Sequence, residues 1–384
     1  MSKPAALDPG MLAPGNFVQE ALAHPEALIY FCCNVGDADA QVILLPEYGV
    51  PPKRQVIIVD VGVTSKVPNL LEEVETAGIV DLQSSPDDPI ALVVTTHPHQ
   101  DHIGGLPELL RTFGDRTAEY WDSGYFHPIP AYHQAMAEVE RLSHLLYSQP
   151  TSGLRRFIGD VAITALSPSI QLRNRFDSYG TEINDASISL RLEFPVHRYL
   201  EDRPAQGQPI TAPRTRSLLL GGDAQTTSWA FVLVDFPFLR KSETPAAKAI
   251  AAAQANIDLL KADIFKVSHH GSKHGVNLEL IERIDSKATL ISSVDGRGKY
   301  RFPHTVAQDV IREGLHPTAQ SGASHPPDAD IGIFYTADAT TQSTKLGTIG
   351  LIVRTGSCSM WRFGDEPADP VVLTNALRWA KDVW

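Results

Sequence analysis

The stretch Val93-Val94-Thr95-Thr96-His97-Pro98-His99-Gln100-Asp101-His102-Ile103-Gly104-Gly105 carries three imidazoles and one carboxylate within six residues, directly after an apolar run. These side-chain types at this density serve one purpose above others, gripping a metal ion. On an extended segment His97 and His99, two apart, point the same way and can hold one ion. Asp101 and His102, just past the turn, face a neighbouring position and can hold a second. Imidazole with carboxylate suits zinc first, with manganese and iron as alternatives. A two-ion centre also needs an acceptor between its ions. Asp223 is the candidate: it follows the apolar Leu218-Leu219-Leu220 and a Gly-Gly pair that lets backbone approach closely. His269 and His270 follow another apolar run, and Gly271 frees the turn after them. Neighbours on a strand point opposite ways, so one of the two completes the second metal. His269 is preferred for that role, which leaves His270 to orient a ligand or move a proton.

Further polar residues stand at the ends of apolar runs. Asp60 closes Gln55 to Val59 and is placed to take a hydrogen bond from a ligand histidine. Asn184 and Asp185 precede a strand and are candidates for the remaining position on the first metal or for a substrate contact. His304, in Tyr300-Arg301-Phe302-Pro303-His304, is a candidate phosphate contact or proton donor.

These residues need elements to position them, and the apolar patterning supplies alternating strands and helices. Residues 1–27 read as a loose N-terminal arm, and 28–384 as a single domain with insertions. Strands are expected at Leu28 to Cys33, Gln41 to Leu45, Gln55 to Gly62 and Ile90 to Thr95, with helices at Val67 to Gly78 and Leu106 to Phe113. Tyr120 to Asp122 reads as a strand and Ala131 to Tyr147 as a helix. The aromatic segment from Trp121 to Tyr147 either lines a substrate pocket or forms a surface helix packed by Met136, Val139 and Leu142. In the second half, strands at Val161 to Ser167, Ala186 to Phe194, Ser217 to Leu220, Asp263 to Ser268 and Ala288 to Ser293 repeat the plan of the first. Helices are expected at Pro245 to Lys261 and Thr305 to Gly314. Gly332 to Thr336 and Gly347 to Val353 look like a closing hairpin with Ala337 to Lys345 as its loop. Pro195 to Pro213 and Gln320 to Asp330 read as excursions rather than linkers.

The totals narrow the function classes. A formal net charge of −12 over 384 residues repels polyanions at long range, which argues against bulk binding to duplex nucleic acid. Three cysteines, Cys32, Cys33 and Cys358, make a poor disulfide framework and fit a reducing compartment. No run approaches the roughly 20 apolar residues of a membrane helix. A cytoplasmic location is the expectation, with no membrane partner; the oligomeric state is left open.

His97-Pro98-His99-Gln100-Asp101-His102 resembles the HxHxDH signature of the metallo-β-lactamase superfamily. The order of motifs resembles in particular the hydrolase domain of ComEC-type DNA-uptake proteins. It comprises Asn34-Val35-Gly36-Asp37-Ala38-Asp39-Ala40 at the family's "DVGQGDA" position, Asp60, the histidine cluster and Leu166-Ser167-Pro168. Asn184-Asp185-Ala186-Ser187, Gly222-Asp223, His269-His270-Gly271-Ser272 and Pro303-His304 follow. The sequence departs from that pattern at Asn34, at Asp37-Ala38, and at His99, where ComEC relatives often carry Asp. The resemblance implies an α/β fold of the αββα sandwich type, a two-metal site at the sheet edge and a hydrolase. Two divalent ions sharing a hydroxide would clamp a phosphate or carbonyl oxygen, with Asp101 orienting the hydroxide and His304 or His270 protonating the leaving group. The expected substrate is a phosphodiester, in a nucleotide, a nucleic acid or a phosphate-bearing small molecule. Alternatives are a carboxylic ester, lactone or β-lactam, or a metal-binding sensor subunit without catalysis.

Overall fold

The computed structural model describes residues 6–83, 88–175, 182–196, 215–235, 259–293, 299–318 and 324–384. Nearly all of the helix expected at Pro245 to Lys261, most of the excursion at Pro195 to Pro213 and the start of Gln320 to Asp330 lie outside the described residues.

Two sheets pack face to face, each covered on its outer side by helices, giving four layers in the order α, β, β, α. In the first sheet Leu28–Cys32, Ala40–Leu44 and Val56–Val61 pair antiparallel, after which Ile90–Thr95, Glu119–Asp122 and Leu146–Ser148 add in parallel. In the second, Arg216–Leu220, Ile264–Lys266, Ala288–Ile291 and Ile333–Tyr335 run parallel. Ser189–Phe194 and Val161–Ser167 continue that sheet antiparallel.

The layering follows from alternation along each strand. Ile57 and Val59 enter the core between the sheets, where they meet Leu190, Leu218 and Leu290, while Val56 and Ile58 face the outer helices. Each such aliphatic side chain, fully buried, contributes about 1.5–3 kcal/mol relative to exposure. The alternation breaks at Asp60, whose φ of 59° is left-handed, and Val61 returns to the outer side. Helix Lys66–Thr76 buries Val67, Leu70, Leu71 and Val74 on the first sheet, matching the spacing read in the sequence. Helices Leu278–Ile284 and Thr305–Leu315 cover the second sheet through Leu280, Ile281, Ile284, Ala307 and Ile311.

Four expectations change. Gly332 to Thr336 and Gly347 to Val353 do not form a hairpin. Ile333–Tyr335 is a parallel neighbour of Ala288–Ile291 in the second sheet, whereas Ile349–Val353 sits in the first between Leu28–Cys32 and Cys358–Arg362. The intervening segment crosses between sheets, which local alternation cannot reveal. The helix expected over Ala131 to Tyr147 ends at Arg141, and Leu146–Ser148 becomes a strand. Trp121 lies in the core between the sheets rather than on a pocket wall, whereas Met136 and Val139 do pack against the outer core. The N-terminal segment is not loose from residue 6 onward: Leu12–Pro14 pairs with Leu377–Trp379, and Phe17 is fully buried against Phe31, Trp361 and Phe363. All three cysteines are buried and free. Among the described residues no helix is long and apolar enough to cross a membrane.

Candidate metal centre

Parallel strands in both sheets present their C-terminal ends at one edge of the sandwich, and the predicted site residues collect there. His97 to His102 follow Ile90–Thr95, Asp223 follows Arg216–Leu220, and His269 and His270 follow Ile264–Lys266. Main-chain hydrogen bonds fix these loops: Ile188 N donates to Thr96 O (2.9 Å) and joins the two halves, while His269 N donates to Gly222 O (2.9 Å) within the second and Asp39 N to Asp101 O (3.0 Å) within the first. Gly105 is needed because a Cβ there would lie 2.4 Å from the Val63 carbonyl oxygen, so the loop could not settle against the Val56–Val61 strand end.

Asp223 is buried at the centre, with its two oxygens facing different groups of side chains. Oδ2 lies 3.7 Å from His97 Nε2 and 3.7 Å from His269 Nε2. Oδ1 lies 3.3 Å from His102 Nε2 and 3.7 Å from His270 Nε2. Among the described residues, two sets of side chains thus have donor atoms close enough to hold an ion: His97, His99 and Asp223 on one side, and His102, His270, Asp223 and Asp39 on the other. Asp101, one-third exposed, reaches the second set, with Oδ2 3.8 Å from His270 Nε2.

The hydrogen bonds behind the rings decide which nitrogens face inward. His102 Nδ1–H donates to Asp60 Oδ2 at 2.8 Å, leaving Nε2 toward Asp223. Thr96 Oγ1 donates to the same Asp60 oxygen (2.8 Å), and Thr96 N donates to Oδ1 (2.8 Å). With its proton committed to Asp60, the Thr96 hydroxyl can only accept from His97 Nδ1 (3.2 Å), where Ser187 Oγ also stands at 3.1 Å. That leaves His97 Nε2 unprotonated and within hydrogen-bond distance of His99 Nδ1, 2.9 Å away. His270 Nδ1–H donates to the Ser292 carbonyl at 3.1 Å, so its Nε2 also points inward. Ser187 Oγ accepts from Asp223 N at 3.2 Å and so connects Asp223 with His97.

Among the described residues, His102 Nε2, His270 Nε2 and Asp223 Oδ1 are buried without a hydrogen-bond partner. Orphaned polar atoms in such a place are costly. Their convergence fits a cation, and imidazole nitrogens with carboxylate oxygens are a donor set for a divalent transition metal. The charges agree. Burial disfavours the Asp223 carboxylate, but His102, His269 and His270 outweigh it and hold its pKa well below the usual range. Burial also opposes a charged His102, yet Asp223 and Asp60 keep its pKa well above the ordinary imidazole value. Burial first, then the neighbouring imidazolium charge of His102, pushes His97 down.

His269 and His270 are arranged differently from the strand geometry expected in the sequence. Both have left-handed backbone, φ 50° and 52°, and Gly271 follows at 78°. In this tight turn neighbouring side chains no longer alternate, and both rings face Asp223, one toward each oxygen. His270 joins the second set, the place expected for His269, while His269 stands by the first. Asp185 belongs to neither set; its carboxylate accepts from Ser228 Oγ at 3.2 Å. Asn184 is buried, with Oδ1 lacking a partner among the described residues. His304 caps helix Thr305–Leu315 and touches Phe302 edge-on, with ring centroids 5.1 Å apart. Phe302 in turn contacts His269 (5.3 Å) and His270 (5.6 Å). The His127 ring lies 5.7 Å from that of His99, and its sequence neighbour Phe126 is exposed.

Sequence reasoning passed over Asp39, Thr96, Ser187, Lys266 and Ser292. Hydroxyl residues and a lone lysine give no local signal, although Asp39 and Ser187 both stood inside the ordered motifs.

The family model described as the metallo-beta-lactamase superfamily matches residues 50–173, which contain the histidine cluster. The fold is the metallo-β-lactamase fold. No curated protein sequence matches the chain. Among solved structures, the metallo-β-lactamase fold protein YhfI from Bacillus subtilis is 12% identical with a TM-score of 0.36, covering 82% of this chain and 98% of that one. A diphosphatase from the PhnP family is 12% identical with a TM-score of 0.34, covering 82% and 96%. CmlA, a diiron β-hydroxylase from Streptomyces venezuelae, is 12% identical with a TM-score of 0.37, covering 77% of this chain and 52% of its own. The chain thus spans about half the length of CmlA.

Proposed function

We propose that this metallo-β-lactamase-fold chain is a hydrolase with a binuclear metal centre acting on phosphodiesters. The observation that carries the reading is Asp223, whose two oxygens each face their own set of imidazoles. On this reading His97, His99 and Asp223, with His269 beside them, hold one ion, and Asp101, His102, His270 and Asp223 hold the other. Zinc is the first choice, then manganese or iron. Two such ions, when bound, supply Lewis acidity and lower the pKa of water at the site.

The chain's own groups do the rest. Asp60, Thr96 and Ser187 fix the tautomers of His102 and His97 so that lone pairs face inward. Asp101 is the most exposed of these carboxylates and is placed to orient the attacking water. Lys273 N donates to His304 Nδ1 at 3.0 Å, which makes His304 a neutral imidazole with its proton on Nε2. It is therefore suited to donate a hydrogen bond to a phosphoryl or leaving-group oxygen, the phosphate-contact role rather than that of a strong acid. Lys273, Lys299 and Arg301 gather on the segments around His304 in a chain of net charge −12, which favours an anionic substrate locally. The ComEC-type order of motifs supports phosphodiesters over carboxylic esters, lactones and β-lactams.

Elemental analysis of gently purified protein, coupled to a hydrolysis screen over phosphodiesters, lactones and nucleic acids, tests the reading. About two metals per chain and diesterase activity that falls at least ~1000-fold in Asp223→Asn are expected, since the variant lacks the shared charge. Fewer than one metal per chain, or full activity in the variant, would sink it.

A further inference from the structure

Behind His270 lies a buried ion pair that the site chemistry does not use. Lys266 Nζ is 2.8 Å from Asp39 Oδ2, and both side chains are completely buried. Lys266 Nζ also donates to the Val267 carbonyl at 3.0 Å. The other Asp39 oxygen, Oδ1, accepts from the Ser292 hydroxyl, and the Ser292 carbonyl accepts from His270 Nδ1. Asp39 falls within ion-holding range of His102, Asp223 and His270, but both its oxygens are already engaged.

We propose that Asp39, Lys266 and Ser292 form a positioning device that holds His270 toward the second ion position and keeps that position electrically matched to a cation. The proposal rests on the metal-centre reading of His270. Three segments supply the device: the loop between Leu28–Cys32 and Ala40–Leu44, the end of Ile264–Lys266 and the residue after Ala288–Ile291. They come from both sheets and meet around His270. That residue needs such support, because its left-handed φ of 52° is one that non-glycine residues adopt only when their surroundings impose it.

The charges give the device a signature that a merely structural ion pair lacks. Lys266 alone would place an unscreened cation in the low-dielectric interior behind a cation site, and Asp39 cancels it. Removing the Asp39 charge should therefore weaken metal binding. Removing the Lys266 charge should not, because it frees a carboxylate near the second ion position. An ion pair that served only folding would lower stability in both variants and shift metal affinity alike in both.

The test is chelator competition with zinc alone, on full-length wild type, D39N, K266M, S292A and the double variant D39N/K266M, with thermal unfolding alongside. D39N is expected to bind its second zinc about 10- to 100-fold more weakly, the range for losing a group that orients a ligand. K266M should bind it at least as tightly as wild type. S292A, the milder change that serves if D39N is too unstable to purify, should weaken the second zinc about 3- to 10-fold, below the loss for a full charge. D39N/K266M should unfold at a higher temperature than either single variant, since neither charge is left alone. Second-zinc affinities that shift together in D39N and K266M, or that stay within about twofold of wild type in D39N and S292A, would overturn the proposal while leaving the two-metal reading intact. A wild type that takes up no zinc, manganese or iron would overturn both.

Discussion

His102 lies between two carboxylates: its Nδ1 is hydrogen-bonded to Asp60 at 2.8 Å, and its Nε2 stands 3.3 Å from Asp223. Burial works against its charge, yet the two carboxylates hold its pKa well above the ordinary value. A metal must therefore displace a proton that His102 keeps to higher pH than a free imidazole would. Metal affinity should rise with pH across neutrality and fall steadily on acidification, as competition titrations at a series of pH values will reveal. Removing the clamp tests the same residue from the other side. Asp60→Asn keeps the shape but loses the charge that orients His102 and sets an amide N–H against buried donors, so it should weaken metal binding about 10- to 100-fold and lower stability by about 1–3 kcal/mol. A variant that binds metal as tightly as wild type would remove Asp60 from the site's chemistry.

At the scale of elements, the site is made by turns that local preferences resist. Gly222 sits at φ 52°, and a Cβ there would come within 3.1 Å of the Ile188 carbonyl oxygen and of Thr96 Cβ. Gly222 also accepts from His269 N, so this one turn sets Asp223 and the His269-His270 turn together. Gly222→Ala should cost about 1–3 kcal/mol of stability and loosen metal binding in the same variant. Denaturant unfolding and zinc titration measure the two effects, and an unaltered midpoint would show that the turn tolerates a side chain.

At the scale of the molecule, distant segments close the sandwich. Phe17, fully buried, contacts Phe31 from the first strands and Trp361 and Phe363 from the last. Phe17→Ala should cost about 3–5 kcal/mol, read from denaturant unfolding, because the surrounding rings cannot collapse into the space. A loss under about 1 kcal/mol would return the N-terminal segment to the loose arm first read in the sequence. Asp263 joins the strand ends of the second sheet, with Oδ1 2.8 Å from Lys287 Nζ and 3.0 Å from Arg216 Nη1. Burial raises its pKa, but the Lys287 hydrogen bond and the charges of Lys287 and Arg216 outweigh that and leave it lowered. The folded state thus binds this proton less tightly than the unfolded chain. The stabilisation is complete above the ordinary carboxylate range and lost as pH falls through the lowered value. Asp263→Asn should cost about 1–3 kcal/mol at neutral pH and flatten the acid side of the stability curve.

Part of this was legible residue by residue. The sequence by itself determined the strand that carries His97 to His102, the helices with apolar positions at three- and four-residue spacing, and the carboxylate Asp223 after its glycines. Those features are local, and side-chain type with periodicity suffices to read them. The placement of Ile333–Tyr335 and Ile349–Val353 in different sheets was not legible, because alternation reports a strand and not its partner. Nor was the arrangement of His269 and His270, since the strand rule of opposite faces fails once both residues turn left-handed. Only the tertiary structure decided that His270, not His269, stands with His102. It alone assembled Asp39, Lys266 and Ser292, from positions more than 200 residues apart in the chain at the extreme, into one buried network. Such a network has no sequence period. It exists because two packed sheets exclude water and leave each buried charge to find its partner inside the protein.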